Sequence, residues 1–286
     1  MINFQDDRKI KLATFSKNNI TANPGRWRNS TKNYFHILPV EDLRENIIAG
    51  FKDDFWAYYS RTSIKLHEYF HHLNSSQALC FNLFFPLFYY DKRFLIYVLQ
   101  NIFRIWEDKS LESIASQLDD KTSVTNSFTS CEFEKILETK EQTNFDFVIQ
   151  QLNGCKVLFE IKYTENKFSG VVPKKGHIKK FDSIYRPKLE KLLRPEFLNQ
   201  DFVFKNYQIM RNLSYIDDFT TVVFLFPKGN QDLQGTESLI REILLPSFIQ
   251  QTRVVNLENL THQILESEYL KPLQPYFEIF KQKYID

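Results

Sequence analysis

The sequence predicts an α/β (α+β) chain in which a helical N-terminal extension precedes a β-sheet. Helical spacing of apolar residues dominates from about Glu41 to Gln117, and strand-like runs follow after Thr122. Hydrophobic residues make up 43% and aromatic residues 16% of the 286 positions, enough for a sizeable core. Because no repeat and no linker of distinct composition interrupts the chain, we expect one principal domain.

The individual elements follow from local patterns. Residues 1–40 look polar and irregular, and Asn74, three residues before Gln77, predicts a helix N-cap with its reciprocal partner. Further helices are expected at 75–85, 93–107, 111–117, 206–215 and 237–250, and an amphipathic helix or a pair of helices at 262–284. Strands are expected at 128–137, 145–150, 157–163, 220–226 and 253–257. This order suggests an extension (1–74), a core (75–257) and a C-terminal helical segment (258–286).

Composition excludes several classes of protein. The polar N-terminus shows no signal peptide, and the longest apolar stretch, 78–90, contains Asn82 and Pro86 and is too short to span a membrane. The three cysteines are odd in number and lack metal-site spacing, and Cys80 and Cys155, which lie in apolar runs, are expected to be buried thiols in a reducing compartment. We therefore expect a cytoplasmic protein that does not enter membranes.

Charged residues at Asp146, Glu160 and Lys162 interrupt two adjacent strand-like runs that are separated by the turn signal Asn153-Gly154. Side chains alternate along a strand, so Glu160 and Lys162 share one face. Their strand is otherwise apolar and looks buried on both faces, where charges are costly unless they are paired or bound to a metal. These residues therefore predict a site rather than a solvated surface.

The length of the hairpin loop decides whether the two carboxylates meet. A two-residue turn would set Asp146 opposite Ile161 and place the carboxylates on opposite faces. A three-residue loop, 152–154, with Gly154 in the left-handed region pairs Gln151 with Cys155 and sets Asp146 opposite Glu160. A functional site therefore requires the odd-length loop or a bulge.

Charge suggests the role of each group. Asp146, Glu160 and the backbone carbonyl of Ile161 offer the oxygen ligands that Mg²⁺ prefers, and Mn²⁺ could substitute for it. Lys162 would lie near an attacking water, lower its pKa and stabilise charge on a pentavalent phosphate. Carboxylates, metal and lysine together are the chemistry of phosphodiester cleavage.

The segments Asn144-Phe145-Asp146 and Phe159-Glu160-Ile161-Lys162-Tyr163 resemble the PD-(D/E)XK, or restriction-endonuclease-like, nucleases, as does the order of elements over residues 75–257. The resemblance implies a mixed central sheet flanked by helices and Mg²⁺-dependent cleavage of DNA, with a restriction or defence role. No proline precedes Asp146, and the helix expected at 75–85 lacks the acid that the first core helix often supplies.

Other residues are candidates for supporting roles. Glu134 is a candidate to replace the missing acid as a metal ligand, or else a surface carboxylate. Gln208 and Arg211 lie one helical turn apart; a polar residue on that helix recurs in the superfamily and can orient water or phosphate. The alternative is that they form an exposed polar face.

The segment 174–194 carries a local charge of +6, although the whole chain carries only +2. Phe181, Tyr185 and His177 lie among its cations and could stack on bases, and Arg26-Trp27-Arg28 is a second, weaker candidate for nucleic-acid contact. The nucleic-acid-binding candidates on or near this segment are Lys174, Lys175, Lys179, Lys180 and Arg186, with Arg211 on the later helix.

Two functional alternatives remain open. The chain could keep the nuclease fold as a nucleic-acid-binding protein without catalysis. His67-Glu68-x-x-His71 also matches the zinc metalloprotease motif, although no third ligand with that family's spacing follows it. DNA is the expected partner, and cleavage of both strands at one position would favour a homodimer.

Overall fold

A computed structural model of the protein describes residues 2–21, 23–28, 30–105, 128–138 and 143–286. The helix expected at 111–117 lies outside these residues. The helices are α1 (Phe4–Asn19), α2 (Lys52–Tyr59), α3 (Ser76–Tyr90), α4 (Lys92–Tyr97), α5 (Lys175–Lys180), α6 (Arg186–Leu189), α7 (Gln200–Lys205), α8 (Tyr207–Leu213), α9 (Thr236–Ile243), α10 (Leu257–Glu266) and α11 (Gln274–Tyr284).

The strands are β1 (Gly25–Arg26), β2 (Asn33–Tyr34), β3 (Phe128–Ile136), β4 (Asn144–Gln151), β5 (Lys156–Ile161), β6 (Thr220–Phe226) and β7 (Thr252–Asn256). β1 and β2 form a short antiparallel hairpin. The other five form one sheet in the order β3-β4-β5-β6-β7, antiparallel from β3 to β5 and parallel from β5 to β7. The predicted mixed sheet and its five strands are confirmed.

The sheet buries both of its faces, as its apolar strands require. On one face Phe84 of α3 stacks on Phe147 of β4 with ring centroids 4.5 Å apart. On the other face Leu158 and Phe224 pack with residues of α8 and α9 such as Met210. β5 is therefore covered on both sides.

No helix among the described ranges is long and apolar enough to cross a membrane.

The two chain ends pack together on the α3 side of the sheet. The prediction of an irregular segment at 1–40 is wrong, because α1 buries Leu12 and Phe15. The guanidinium of Arg8 donates to the carbonyls of Tyr284 and Ile285, and Asn82 donates to the Tyr284 hydroxyl at 2.8 Å. The proposed boundaries at residues 74 and 257 stay a prediction, and one hydrophobic cluster contains Leu12, Phe147 and Phe280.

Two further expectations on helices were wrong in detail. Ser75, rather than Asn74, caps α3, and its hydroxyl accepts from the Ala78 amide at 3.3 Å. The helix expected at 237–250 ends at Ile243, and a 3₁₀ segment begins at Pro246, since proline disfavours helix in the residue before it.

Candidate active site

The hairpin between β4 and β5 has the predicted register. The Gln151 amide donates to the Cys155 carbonyl at 2.8 Å, and Gly154 has φ +88°. Phe147 pairs with Phe159, so the next residues outward, Asp146 and Glu160, stand opposite each other. The three-residue loop that the carboxylates required is therefore confirmed.

Glu160 is a buried carboxylate held by three donors. Its Oε1 accepts from Lys162 Nζ at 2.8 Å and from Gln208 Nε2 at 2.5 Å. Its Oε2 accepts from Asn212 Nδ2 at 2.9 Å. Only 4% of the residue is exposed, so these bonds fix the orientation of the carboxylate.

The side chain of Asp146 on β4 forms a hydrogen bond with the backbone of β5, at the end of the hairpin away from its loop. Its Oδ2 accepts from the backbone amide of Ile161 at 2.5 Å. Burial raises the pKa of Asp146 well above its ordinary value, and the charge of Glu160 adds to the rise, while Lys162 opposes it. Burial and the neighbouring carboxylate therefore both disfavour the charged form of Asp146 in the absence of a further cation.

Lys162 remains an ammonium ion in this environment. Burial disfavours its charged form, but the neighbouring carboxylates, Glu160 above all, outweigh burial and raise the pKa of Lys162 above its ordinary value. Lys162 can therefore donate hydrogen bonds and stabilise negative charge, and it cannot act as a proton acceptor in this state.

Glu134 also faces this group of residues. The register of β3 on β4 sets it opposite Asp146, and its φ of 53° lies in the left-handed region. Its Oε1 accepts from Gln77 Nε2 at 2.8 Å, its Oε2 accepts from Asn144, and His67 Nε2 lies 3.6 Å from Oε2. With 8% of its side chain exposed, Glu134 is not a surface carboxylate.

The helix α8 brings polar groups to the other side of the site. Gln208 and Asn212, one turn apart, both donate to Glu160, so the alternative of an exposed polar face is wrong for Gln208. Arg211 lies between them and is half-buried, and within the described ranges its Nε has no hydrogen-bond partner. Its guanidinium is thus positioned without a fixed acceptor for that nitrogen.

Sequence reasoning missed two of these positioning residues. Asn212 follows Gln208 by four residues, and that spacing alone would have placed it on the same helical face. Gln77 was assigned to a helix cap, but its side chain joins Glu134, the carbonyl of Lys65 at 3.0 Å and the amide of His67 at 2.8 Å. No local pattern reveals contacts with a strand so distant in sequence.

The donor set fits a hard divalent cation completed by water. Among the described residues, no three His, Cys, Asp or Glu side chains are close enough to hold a metal by themselves. Asp146, Glu160 and the Ile161 carbonyl are oxygen ligands of the kind that Mg²⁺ uses in small numbers while it keeps several waters. Asn144 Oδ1 and Asn212 Oδ1 are buried acceptors without partners in the described structure, so donors are missing beside Glu134 and Glu160, the carboxylates to which these two amides donate.

The basic segment is only partly what the sequence suggested. It folds into α5, a π-helical turn and α6, and it buries Phe181 and Tyr185, which therefore cannot stack on bases. Its candidate phosphate-binding cations remain accessible. Lys180 is half-buried, and the exposed ones are Lys174, Lys175, Lys179 and Arg186.

The zinc-protease alternative loses its structural basis. Residues 67–71 form turns rather than the helix that would align the two histidines. Glu68 pairs with Arg28, and His67 faces Glu134. His67 therefore lies beside the Glu134 carboxylate, and the residues of the motif do not converge on a common zinc site.

Comparison with protein-family models gives a match over nearly the whole chain. A family model described as "Restriction Endonuclease associating with ARP" matches residues 8–285, nearly the whole chain. No curated protein and no solved structure matches significantly.

Proposed function

Because the chain belongs to this restriction-endonuclease family, we propose that it is a Mg²⁺-dependent nuclease of the PD-(D/E)XK type. Its substrate is DNA, and Asp146, Glu160 and Lys162 lie at the centre of its site. The observation that carries the proposal is the hairpin register, which sets the two carboxylates side by side with Lys162 bonded to Glu160 at 2.8 Å.

A bound metal ion would offset the repulsion between the carboxylates of the site. Asp146, Glu160 and the Ile161 carbonyl would hold Mg²⁺ or Mn²⁺, and Glu134 would contribute directly or through water. Glu134 and Glu160 are nearly buried and Lys162 is the cation among them, so added positive charge relieves their repulsion. When bound, the ion supplies Lewis-acid polarisation of the phosphate and charge at the leaving oxygen.

The side chains of the protein prepare the site for an attacking water. The Lys162 ammonium donates to the water or to a phosphate oxygen and stabilises the negative charge that develops there. Gln208 and Asn212 hold Glu160, and Gln77 with Asn144 holds Glu134, so neither carboxylate has to reorganise during the reaction. Arg211 on α8 is half-buried and can bind a phosphate of the same strand through its guanidinium.

The exposed cations of α5 and α6 would hold the DNA backbone. Lys174, Lys175, Lys179 and Arg186 are exposed, and Lys180 adds charge beside them. Contacts of this kind bind phosphates without reading sequence, and they weaken as salt concentration rises. A homodimer that places two such sites on opposite strands is part of this proposal, and light scattering with and without DNA tests it.

Cleavage of plasmid DNA tests the proposal. We expect Mg²⁺ or Mn²⁺ to support cutting and EDTA to stop it, and Lys162→Ala to lower the rate about 100-fold or more, as removal of a charge-stabilising donor does. Lys156→Ala, at the first residue of β5 and six positions before Lys162, is the matched control and should cut normally. Unchanged cutting by Lys162→Ala would contradict the proposed role. No cutting of any DNA form, with binding retained, would instead indicate a nucleic-acid-binding protein without catalysis.

A further inference from the structure

A cavity of about 660 Å³ lies between α1 and the β1–β2 hairpin, outside the proposed catalytic residues. Its volume lies within the range of small-molecule sites. Its walls are mostly apolar and aromatic, formed by Ile10, Trp27, Tyr34, His36 and Ile37. Asp6, Lys9 and Ser30 supply its polar groups. We call it the hairpin cavity.

Trp27 is held in place by an aromatic neighbour but stays largely exposed. Its ring stacks on Tyr69 with centroids 5.0 Å apart and an interplanar angle of 18°. Even so, 47% of Trp27 is exposed, so it lines the hairpin cavity as a rigid aromatic surface. In the same cavity wall, burial and then Lys9 lower the pKa of His36 to about 4, so its imidazole is neutral at physiological pH and adds a third uncharged ring to those of Trp27 and Tyr34.

Two contacts connect the hairpin cavity to the proposed active site. Gln5 of α1 donates to the carbonyl of Thr164 at 2.5 Å, two residues beyond Lys162. Ile10 lies five residues further along α1, or about 7–8 Å at the helical rise. On the other side, Arg28 pairs with Glu68, the neighbour of His67, whose Nε2 lies 3.6 Å from Glu134. The segments that line the hairpin cavity therefore contact segments next to the proposed active site.

The charge around the hairpin cavity suits a nucleic acid. Residues 26–36 contain Arg26, Arg28 and Lys32 and no acidic residue. Lys9 adds a further cation at the cavity, although it lies 3.2 Å from Asp6. Cations around an aromatic surface are the combination that binds unpaired strands, because the cations take the phosphates and the rings take the bases.

We propose that the hairpin cavity binds an unpaired base of the DNA strand in the active site, with the base stacked on Trp27. This rests on the proposed nuclease function and specifies its substrate as DNA with a single-stranded segment beside the cleaved bond. Bases within a duplex are covered by their neighbours, so only an unpaired base can offer its face to Trp27.

Binding measured by fluorescence anisotropy in EDTA tests this without cleavage. The probes are a labelled blunt duplex, the same duplex with a single-stranded extension, and that duplex with an abasic extension of equal charge. We expect the extension with bases to bind about 5- to 150-fold more tightly than the abasic one, the usual effect of one stacked base. Trp27→Ala should remove the difference and Trp27→Phe should keep most of it. Tyr89→Ala, which removes an aromatic of similar exposure on α3, should leave it unchanged.

The outcomes separate this inference from the function on which it rests. Equal binding of both extensions by the wild-type protein overturns it, as does a preference that survives in Trp27→Ala. Binding of the blunt duplex by each variant shows whether the protein is folded. Plasmid cleavage with Mg²⁺ but no preference for bases would reject the base-binding cavity alone. A preference for bases without cleavage under any condition would reject the nuclease alone.

Discussion

Replacing Asp146 by asparagine should stabilise the metal-free protein although it removes a proposed metal ligand. Side chains directly opposite on antiparallel strands have Cβ atoms about 5 Å apart, and two charges at that distance repel by about 3 kcal/mol at an effective dielectric constant of about 20. Lys162 offsets part of this repulsion. An asparagine oxygen can still accept from the Ile161 amide, so we expect the free energy of unfolding to rise by about 1–3 kcal/mol at pH 8.

The gain should depend on pH in a defined direction. Burial, reinforced by Glu160, raises the pKa of Asp146 above its ordinary 3.8. At pH values between the ordinary pKa of the unfolded chain and the raised pKa of the folded protein, the folded protein binds more protons. The stability that this group contributes is therefore complete at low pH and is lost as pH rises through the raised pKa. The advantage of Asp146→Asn should therefore be largest at pH 8 and disappear below about pH 4.

Urea unfolding followed by circular dichroism, in EDTA and across this pH range, measures the effect. Asp218→Asn, which removes an exposed carboxylate, is the control and should stay within about 0.5 kcal/mol of wild type. Mg²⁺ or Mn²⁺ at about a hundredfold excess over its dissociation constant should stabilise wild type by about 2.7 kcal/mol and the variant by less. A variant less stable than wild type in EDTA, or no different from Asp218→Asn, would refute the reasoning.

Three further changes have defined outcomes. Burial lowers the pKa of Lys283 to about 7; the unfolded chain therefore binds the extra proton between pH 7 and 10.5, and stability should rise by up to about 1.4 kcal/mol per pH unit, a slope that Lys283→Met should abolish in urea unfolding. Gly154→Val should cost about 1–2 kcal/mol in the same assay because φ is +88°, and it should leave cleavage intact because its Cβ would meet no other atom. A triple alanine variant of exposed lysines in the basic segment should make the plot of log binding constant against log salt shallower by about 0.9 for each phosphate that the variant no longer neutralises, unlike a triple variant of distant lysines. The test set is Lys174, Lys175 and Lys179, and the distant set is Lys228, Lys271 and Lys281.

The parts of the fold that sequence predicted are those with strong local patterns. Strands β4, β5 and β6 each contain a short apolar run, and chemistry then selected one of two registers for the β4–β5 hairpin. The helix α1 was missed because its sequence is polar apart from a narrow apolar stripe. Its partner α11 lies at the far end of the chain, and a contact between chain ends leaves no periodicity in either segment.

The candidate site shows the same division. Asp146, Glu160 and Lys162 could be found because charged residues in a buried strand conflict with the cost of desolvation. Gln77 could not be found, because an uncharged polar residue in the first turn of a helix usually has only a local role. Trp27 was noticed for its neighbouring arginines, whereas the cavity that it lines is formed by segments that sequence alone does not bring together.

The left-handed backbone at Glu134 accounts for the acid that α3 lacks. A non-glycine residue at φ 53° costs about 1–2 kcal/mol, and such strain is retained where surrounding contacts over-determine it. Here Gln77 occupies the first turn of α3 and donates to Glu134. The helix thus supplies the donor and the strand supplies the carboxylate, the reverse of the arrangement that the nuclease resemblance implied. In the proposed site, the strained residue is what allows a strand to deliver a third acid, and Gln77 is what holds it there.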